Sequence, residues 1–139
     1  MDRRRLVLIA IACLAIASCQ VPFSGPVREN GGDAQVRRER IVSMLRTGQL
    51  KIEDASGAVT GGSLTLPPDL SSASIDGHID IREGPLVVFF RTWSGSSPDD
   101  YCGYEYAPQP GSVQVDPLGS GTGDPADPIG DGWYWICAR

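Results

Sequence analysis

Few side chains in this chain could do chemistry. There is one histidine, His78, and one lysine, Lys51. His78 lies between Asp76 and Asp80. Alternate residues of a strand share a face, so these three could converge on a cation. The plainer reading is a solvated polar face, and no metal site is assigned. Ser94-Gly95-Ser96-Ser97 is a polar loop and lacks the Gly-x-Ser-x-Gly pattern of a nucleophile elbow. With so few candidate bases, a serine nucleophile has little to activate it. No zinc-protease helix and no phosphate-binding glycine loop occurs. Glu83 and Glu105 could in principle form a carboxylate pair of the glycosidase kind, but nothing in their sequence context marks them. The expectation is a protein that is not an enzyme and needs no cofactor.

The four cysteines divide into two groups. Cys13 and Cys19 lie at the N-terminus, and Cys102 and Cys137 lie in strand-like segments. There is no Cys-x-x-Cys and no set of accompanying metal ligands around the second pair. In an oxidising compartment its default state is a structural disulfide joining the last strand to the strand of Cys102.

Apart from Phe23, every aromatic residue lies between Phe89 and Trp135. Trp93, Tyr104, Tyr106, Trp133 and Trp135 are the candidate binding residues, because exposed aromatics on a sheet can stack on sugar rings or anchor a protein partner. The alternative is that they build the core of a small domain short of aliphatic residues. Trp133 and Trp135 share one strand face and Tyr134 and Ile136 the other, so at most one face serves binding. The segment Asp116–Gly132 sets four aspartates among glycines and prolines. Its oxygens could bind calcium, but its spacing is not that of an EF-hand, and Asp-Pro and Asp-Gly are ordinary turn chemistry. A mobile surface loop is the expectation there.

The elements that must position these residues read as one helix followed by strands. Asp33 can cap a helix over Ala34–Thr47, with apolar residues at Ala34, Ile41, Met44 and Leu45 and a stop at Gly48. Arg37, Arg38, Arg40 and Arg46 fill much of its remaining surface. They read as a solvated face partly paired with Glu39, or else as a patch for anionic lipid headgroups. Beyond it, Leu50–Glu53, Leu64–Leu66, Ile75–Ile81, Leu86–Trp93, Cys102–Tyr106, Ser112–Val115 and Trp133–Ala138 read as strands. Ile75, Gly77, Ile79 and Ile81 share one parity and Asp76, His78 and Asp80 the other, the pattern of a half-buried strand. The fold class is therefore α+β and mostly β: an N-terminal helix, then an antiparallel sheet of five to seven short strands, stapled by one disulfide.

The chain opens with three arginines in Met1–Arg5, followed by the unbroken apolar run Leu6–Ala17. This is the pattern of a secretory signal, and it is shorter than the roughly 20 residues of a membrane-spanning helix. The run ends Ile16-Ala17-Ser18-Cys19. This resembles the lipobox of bacterial lipoproteins over the first 19 residues. The resemblance implies that Cys19 takes a diacylglyceryl group, with fatty acyl chains such as palmitate, and becomes the new N-terminus after cleavage. Two or three acyl chains on one residue anchor durably where one chain binds marginally. The rival is Ala15-Ile16-Ala17 as an ordinary signal-peptidase site, which would release a soluble protein starting at Ser18. No aspartate follows Cys19, which by family analogy leans to the outer membrane where one exists.

Residues 1–18 thus read as a signal peptide, 19–32 as a lipidated flexible tether, and 33–139 as a single small β-rich domain. Removing Asp2 and the three arginines takes the net charge from −5 to −7. Such an acidic chain is not built for nucleic acid. From Ile75 onward, Val87–Phe90, Gly103–Tyr106 and Trp133–Trp135, with Leu66-Pro67-Pro68 upstream, resemble small bacterial envelope proteins of uncharacterised activity. That resemblance implies a shared fold and no activity. The expectation is a lipoprotein on the extracytoplasmic side of the cell membrane or outer membrane. Its domain is expected to bind an envelope glycan or protein through an aromatic face. The alternatives are a structural or assembly accessory with no small ligand, and a secreted hydrolase without a recognisable motif.

Overall fold

The computed structural model describes residues 28, 32–51, 62–82, 84–114, 117 and 125–138. The signal sequence, Cys19, all but two residues of the tether, Ile52-Glu53 and most of 116–124 lie outside the described residues. Helix α1 (Asp33–Arg46) has Gly32 as its N-cap, and Asp33 is its first helical residue, not its cap. The Asp33 carboxylate therefore sits in the first turn, where it favours the positive end of the helix dipole. The C-terminus closes as a Schellman motif. Gly48 takes φ 71, its N–H bonds to the Leu45 carbonyl at 3.2 Å, and the Gln49 N–H bonds to the Met44 carbonyl at 2.8 Å. Among the described residues, no helix is long and apolar enough to cross a membrane.

Among the described residues, six strands form one sheet: β1 (Gly62–Thr65), β2 (His78–Arg82), β3 (Val87–Ser94), β4 (Tyr101–Tyr106), β5 (Asp127–Gly130) and β6 (Trp133–Ala138). Their order is β1-β2-β3-β4-β6-β5, with every neighbouring pair antiparallel. The α+β class, the helix-then-sheet order and the disulfide staple are as the sequence leads one to expect. The strand read over Ile75–Ile81 begins only at His78: Ile75–Gly77 form the turn before it, and Ile75 is exposed instead of sharing the buried face of Ile79 and Ile81. Two further strand readings differ. The first is β5, which forms inside the segment read as an acidic loop. Its connection to β6 is Asp131-Gly132, with φ of 53 and 80, and positive φ at both central residues is what a type I′ hairpin turn requires. The second is Ser112–Val115, read as a strand. Ser112 ends a single 3-10 turn, Pro110–Ser112, and the Gln114 N–H goes to the Glu105 side chain instead of a strand ladder.

Register fixes which side chains share a face. Leu64, Ile79, Val88, Phe90, Tyr104, Tyr106, Trp133 and Trp135 line the side covered by α1. Ile41 and Val42 of the helix pack there with Leu66, Leu70 and Ala73, making the main core. On the other side, Phe89, Tyr101 and Ala138 form a smaller cluster. The Phe89 ring lies over Gly103, where an added Cβ would fall 2.7 Å from the ring and 2.3 Å from the Phe90 carbonyl oxygen. Glycine at 103 is what lets the central strands pack with Phe89 flat against them.

Cys102 and Cys137 are direct cross-strand partners on β4 and β6, with Cα atoms 4.1 Å apart and their sulfurs bonded. On the neighbouring edge strand β5, Asp127 pairs with Arg28. Of the four helix arginines read as a solvated face, Arg38 is buried. Its Nε donates to the Ala73 carbonyl at 3.2 Å, and its guanidinium lies 4.2 Å from the Tyr104 ring centroid. A delocalised, weakly hydrated cation on an aromatic face is the form of positive charge best suited to such a place.

Candidate functional site

The five aromatic residues singled out in the sequence come to one face of the sheet. Tyr104 pairs in register with Trp135, and Tyr106 with Trp133. Trp93 reaches the same side through a β-bulge. Between Arg91 and Trp93 the register slips by one, so Trp93 stands opposite Cys102. The rings make two sets of contacts: Tyr104 with Trp135 at 4.9 Å edge-on, and Trp133 with Tyr106 at 5.4 Å and Phe90 at 5.8 Å. Their exposure is unequal. Tyr104 is 2% exposed and Trp133 6%, so both belong to the core under α1. Trp93, Tyr106 and Trp135 are half-buried.

Where α1 ends, the helix and the sheet part to leave a cleft of about 630 Å³. Its floor is Tyr106 and Trp133, and its rim carries Glu39, Ser43, Arg46 and Asp131. The rim residues are all solvent-exposed. A concave site with an aromatic floor and a few polar groups at its edge is the usual form of a small-ligand site. Each component is positioned by a distinct local cause. The ladder between β4 and β6 holds the two rings together. The Schellman turn ends the helix beside Thr47, and the Asp131-Gly132 turn projects the Asp131 carboxylate.

The charges of Asp76 and His78 reach Asp80, but the three residues are not arranged around a cation. Asp76 precedes β2, and its Oδ1 accepts from the Ser74 hydroxyl at 3.0 Å and the His78 backbone N–H at 3.1 Å, which closes a turn. Its other oxygen lies 3.9 Å from Arg91. The His78 ring is exposed and meets the Thr65 hydroxyl at 3.1 Å. Among the described residues, no group of three or more His, Cys, Asp or Glu is arranged to hold a metal ion.

The residue the sequence left unmarked is Glu105. Its side chain is wholly buried, on the sheet face opposite α1. Oε1 accepts the Gln114 backbone N–H at 2.8 Å, and Oε2 has no hydrogen-bond partner among the described residues. Burial pushes its carboxyl up to about 7, against the pull of the Gln114 N–H and the Arg82 charge. A folded-state value above the ordinary 4.5 means that the native state holds its proton longer than the unfolded chain. Stability from this group is full at acidic pH and is lost as pH rises through about 7. The loss should approach about 3 kcal/mol. Urea denaturation at pH 5 and pH 8 should show this decline in the natural protein. Glu105→Gln keeps the bond to Gln114 and cannot ionise, so its stability should be flatter by that amount. Parallel pH curves for the two proteins would refute the assignment.

No protein-family model matches the chain, and neither do any curated proteins or solved structures.

Proposed function

We propose that the protein is a lipoprotein of the bacterial cell envelope, anchored through acyl chains on Cys19 at the extracytoplasmic side of the cell membrane or outer membrane. Its domain acts as a non-enzymatic binding module for an envelope glycan, in the cleft between the end of α1 and the β4–β6 ladder. The anchor is supported by the basic start, the short apolar run and Ile16-Ala17-Ser18-Cys19. The observation that carries the binding reading is the pair of rings, Tyr106 on Trp133, at the floor of a cleft rimmed by Glu39, Ser43, Arg46 and Asp131. The apolar faces of sugar rings pack on such a floor, and their hydroxyls find both donors and acceptors at such a rim.

Titration of the protein with a panel of soluble oligosaccharides tests this. At least one should bind saturably. Tyr106→Ala should weaken it about tenfold, the order of one aromatic contact of about 1–1.5 kcal/mol. Tyr106 is half-buried, so the variant should keep a cooperative melting transition. No binding across the panel, or binding indifferent to Tyr106→Ala, would refute the cleft as a glycan site. Saturable binding of an envelope protein at the same residues would replace the glycan by a protein partner.

A further inference from the structure

On the sheet face away from the aromatic cleft, Ser63, Asp80, Phe89, Glu105 and Tyr134 stand in one cross-strand row running through β1, β2, β3, β4 and β6. Arg82 lies one pleat further along β2. The chain leaving β4 folds back across this face, and the Gln114 N–H fastens it to Glu105. Between the row and this covering segment lies a cavity of about 330 Å³, whose polar lining is Ser63, Asp80, Arg82, Glu105 and Gln114. Its apolar lining includes Ile81, Val87, Phe89 and Pro117.

Two features set its chemistry. First, Glu105 is wholly buried, lines this cavity, and its Oε2 receives no donor from the described residues. A buried carboxyl oxygen without a donor is costly, and native structures seldom retain one without a use. Second, the described residues lining the cavity include two carboxyl groups, Asp80 and Glu105, against one guanidinium, Arg82. The excess of acceptors favours a cationic donor. A metal ion would need more ligands than these, and no group of three or more His, Cys, Asp or Glu stands ready among the described residues. The apolar walls suit the carbon body of an organic molecule. We propose that this cavity binds a small organic cation, a protonated primary amine, which donates to Glu105 Oε2 and to the Asp80 carboxylate while its alkyl part lies against Phe89 and Val87.

A charge-assisted hydrogen bond of this kind is stronger than a neutral one and orients its ligand. The charged groups around the two carboxyls come from several elements. Arg82 acts on Glu105 from β2. Arg91 on β3, with His78 and Asp76, acts on Asp80, whose carboxyl is held above its ordinary value mainly by burial. Tyr134 stands beside Glu105 on β6. Because burial holds the Glu105 proton to about pH 7, proton and ammonium compete for the same oxygen. Amine binding near neutral pH therefore displaces a proton to solvent, and the affinity rises with pH through that range.

Calorimetric titration of the full chain with butylamine, in two buffers of different ionisation heat, tests the proposal. The expected result is saturable one-to-one binding near pH 6.5 with release of a proton, seen as a buffer-dependent heat. Butanol and acetate should not compete. Glu105→Gln should weaken butylamine at least about tenfold and abolish proton release. Asp80→Asn, at a half-buried position, should also weaken it, and it carries the test if Glu105→Gln loses its cooperative melt. Absence of saturable binding, binding unaffected by either substitution, competition by acetate, or calcium binding lost with Glu105→Gln would each overturn the proposal.

Discussion

Replacing Cys102 and Cys137 together by alanine should lower the stability of the domain by about 3–4 kcal/mol, the chain-entropy value for a closed loop of this size. The bridge joins residues 35 apart in sequence on adjacent strands, so it withdraws a substantial loop from the unfolded ensemble. For a domain of about 100 residues, that corresponds to a fall in Tm of about 15 °C or more. Typical domain stabilities are only about 5–15 kcal/mol, so the bridge holds a large share. Its position suits that role. It ties β6, the last strand of the chain, to β4 at the centre of the sheet, and β6 in turn carries the edge strand β5. Both sulfurs are largely buried, so the native protein should resist mild reductant and yield only when unfolding exposes the bridge. Thermal melts of the natural and double-alanine proteins, compared without reductant, give the number. A shift of only a few degrees would mean that the bridge adds little to strands already held by the ladder.

Trp133→Ala should cost about 3–5 kcal/mol, the range for removing a buried tryptophan or phenylalanine from a packed core. Trp133 is 6% exposed and touches Phe90 of β3 and Tyr106 of β4. Its removal opens a void beneath α1 at the junction of helix and sheet. Chemical denaturation should show the loss as a lower midpoint with little change in slope. Trp135→Ala, at a half-buried neighbour on the same strand face, should cost distinctly less. If instead Trp133→Ala leaves stability almost unchanged and removes only ligand binding, the ring belongs to a binding surface and not to the core. The two readings of the aromatic cluster that the sequence leaves open thus separate by residue. Trp133 and Tyr104 are structural, and Tyr106 is available to a ligand.

How much of this was legible depended on how local the signal was. The alternation over Ile75–Ile81 marked the face of β2 but not its start: Ile79 and Ile81 are buried and His78 is exposed, while Ile75 lies in a turn and is exposed. The helix stop at Gly48 follows from one residue able to take positive φ. The pairing of Cys102 with Cys137 followed from counting. The strand β5 was hidden because its residues, Asp127–Gly130, carry no apolar alternation and are all exposed. Its one signal was Asp131-Gly132 directly before Trp133, a type I′ hairpin pair that implies a partner strand on its other side. The bulge at Arg91–Trp93 leaves no mark in a single sequence, since it is set by pairing with β4. Arg38 looked like its exposed neighbours because its burial is decided by Tyr104 and Ala73, distant in the chain. The burial of Glu105 leaves no mark in the sequence for the same reason. Its parity on β4 was clear, but the segment that covers that face, and with it the desolvation of the carboxyl, appears only in three dimensions.

The central claim is an exported domain, lipid-anchored at Cys19 and stapled by one disulfide. Its most direct test is the intact mass of the protein extracted from membranes of cells that make it, with thiol alkylation before and after reduction. The account predicts a chain that begins at Cys19, carries acyl mass, and gains two alkyl groups only after reduction. A chain that begins at Ser18 without acyl mass, or one whose Cys102 and Cys137 alkylate without reduction, would contradict it.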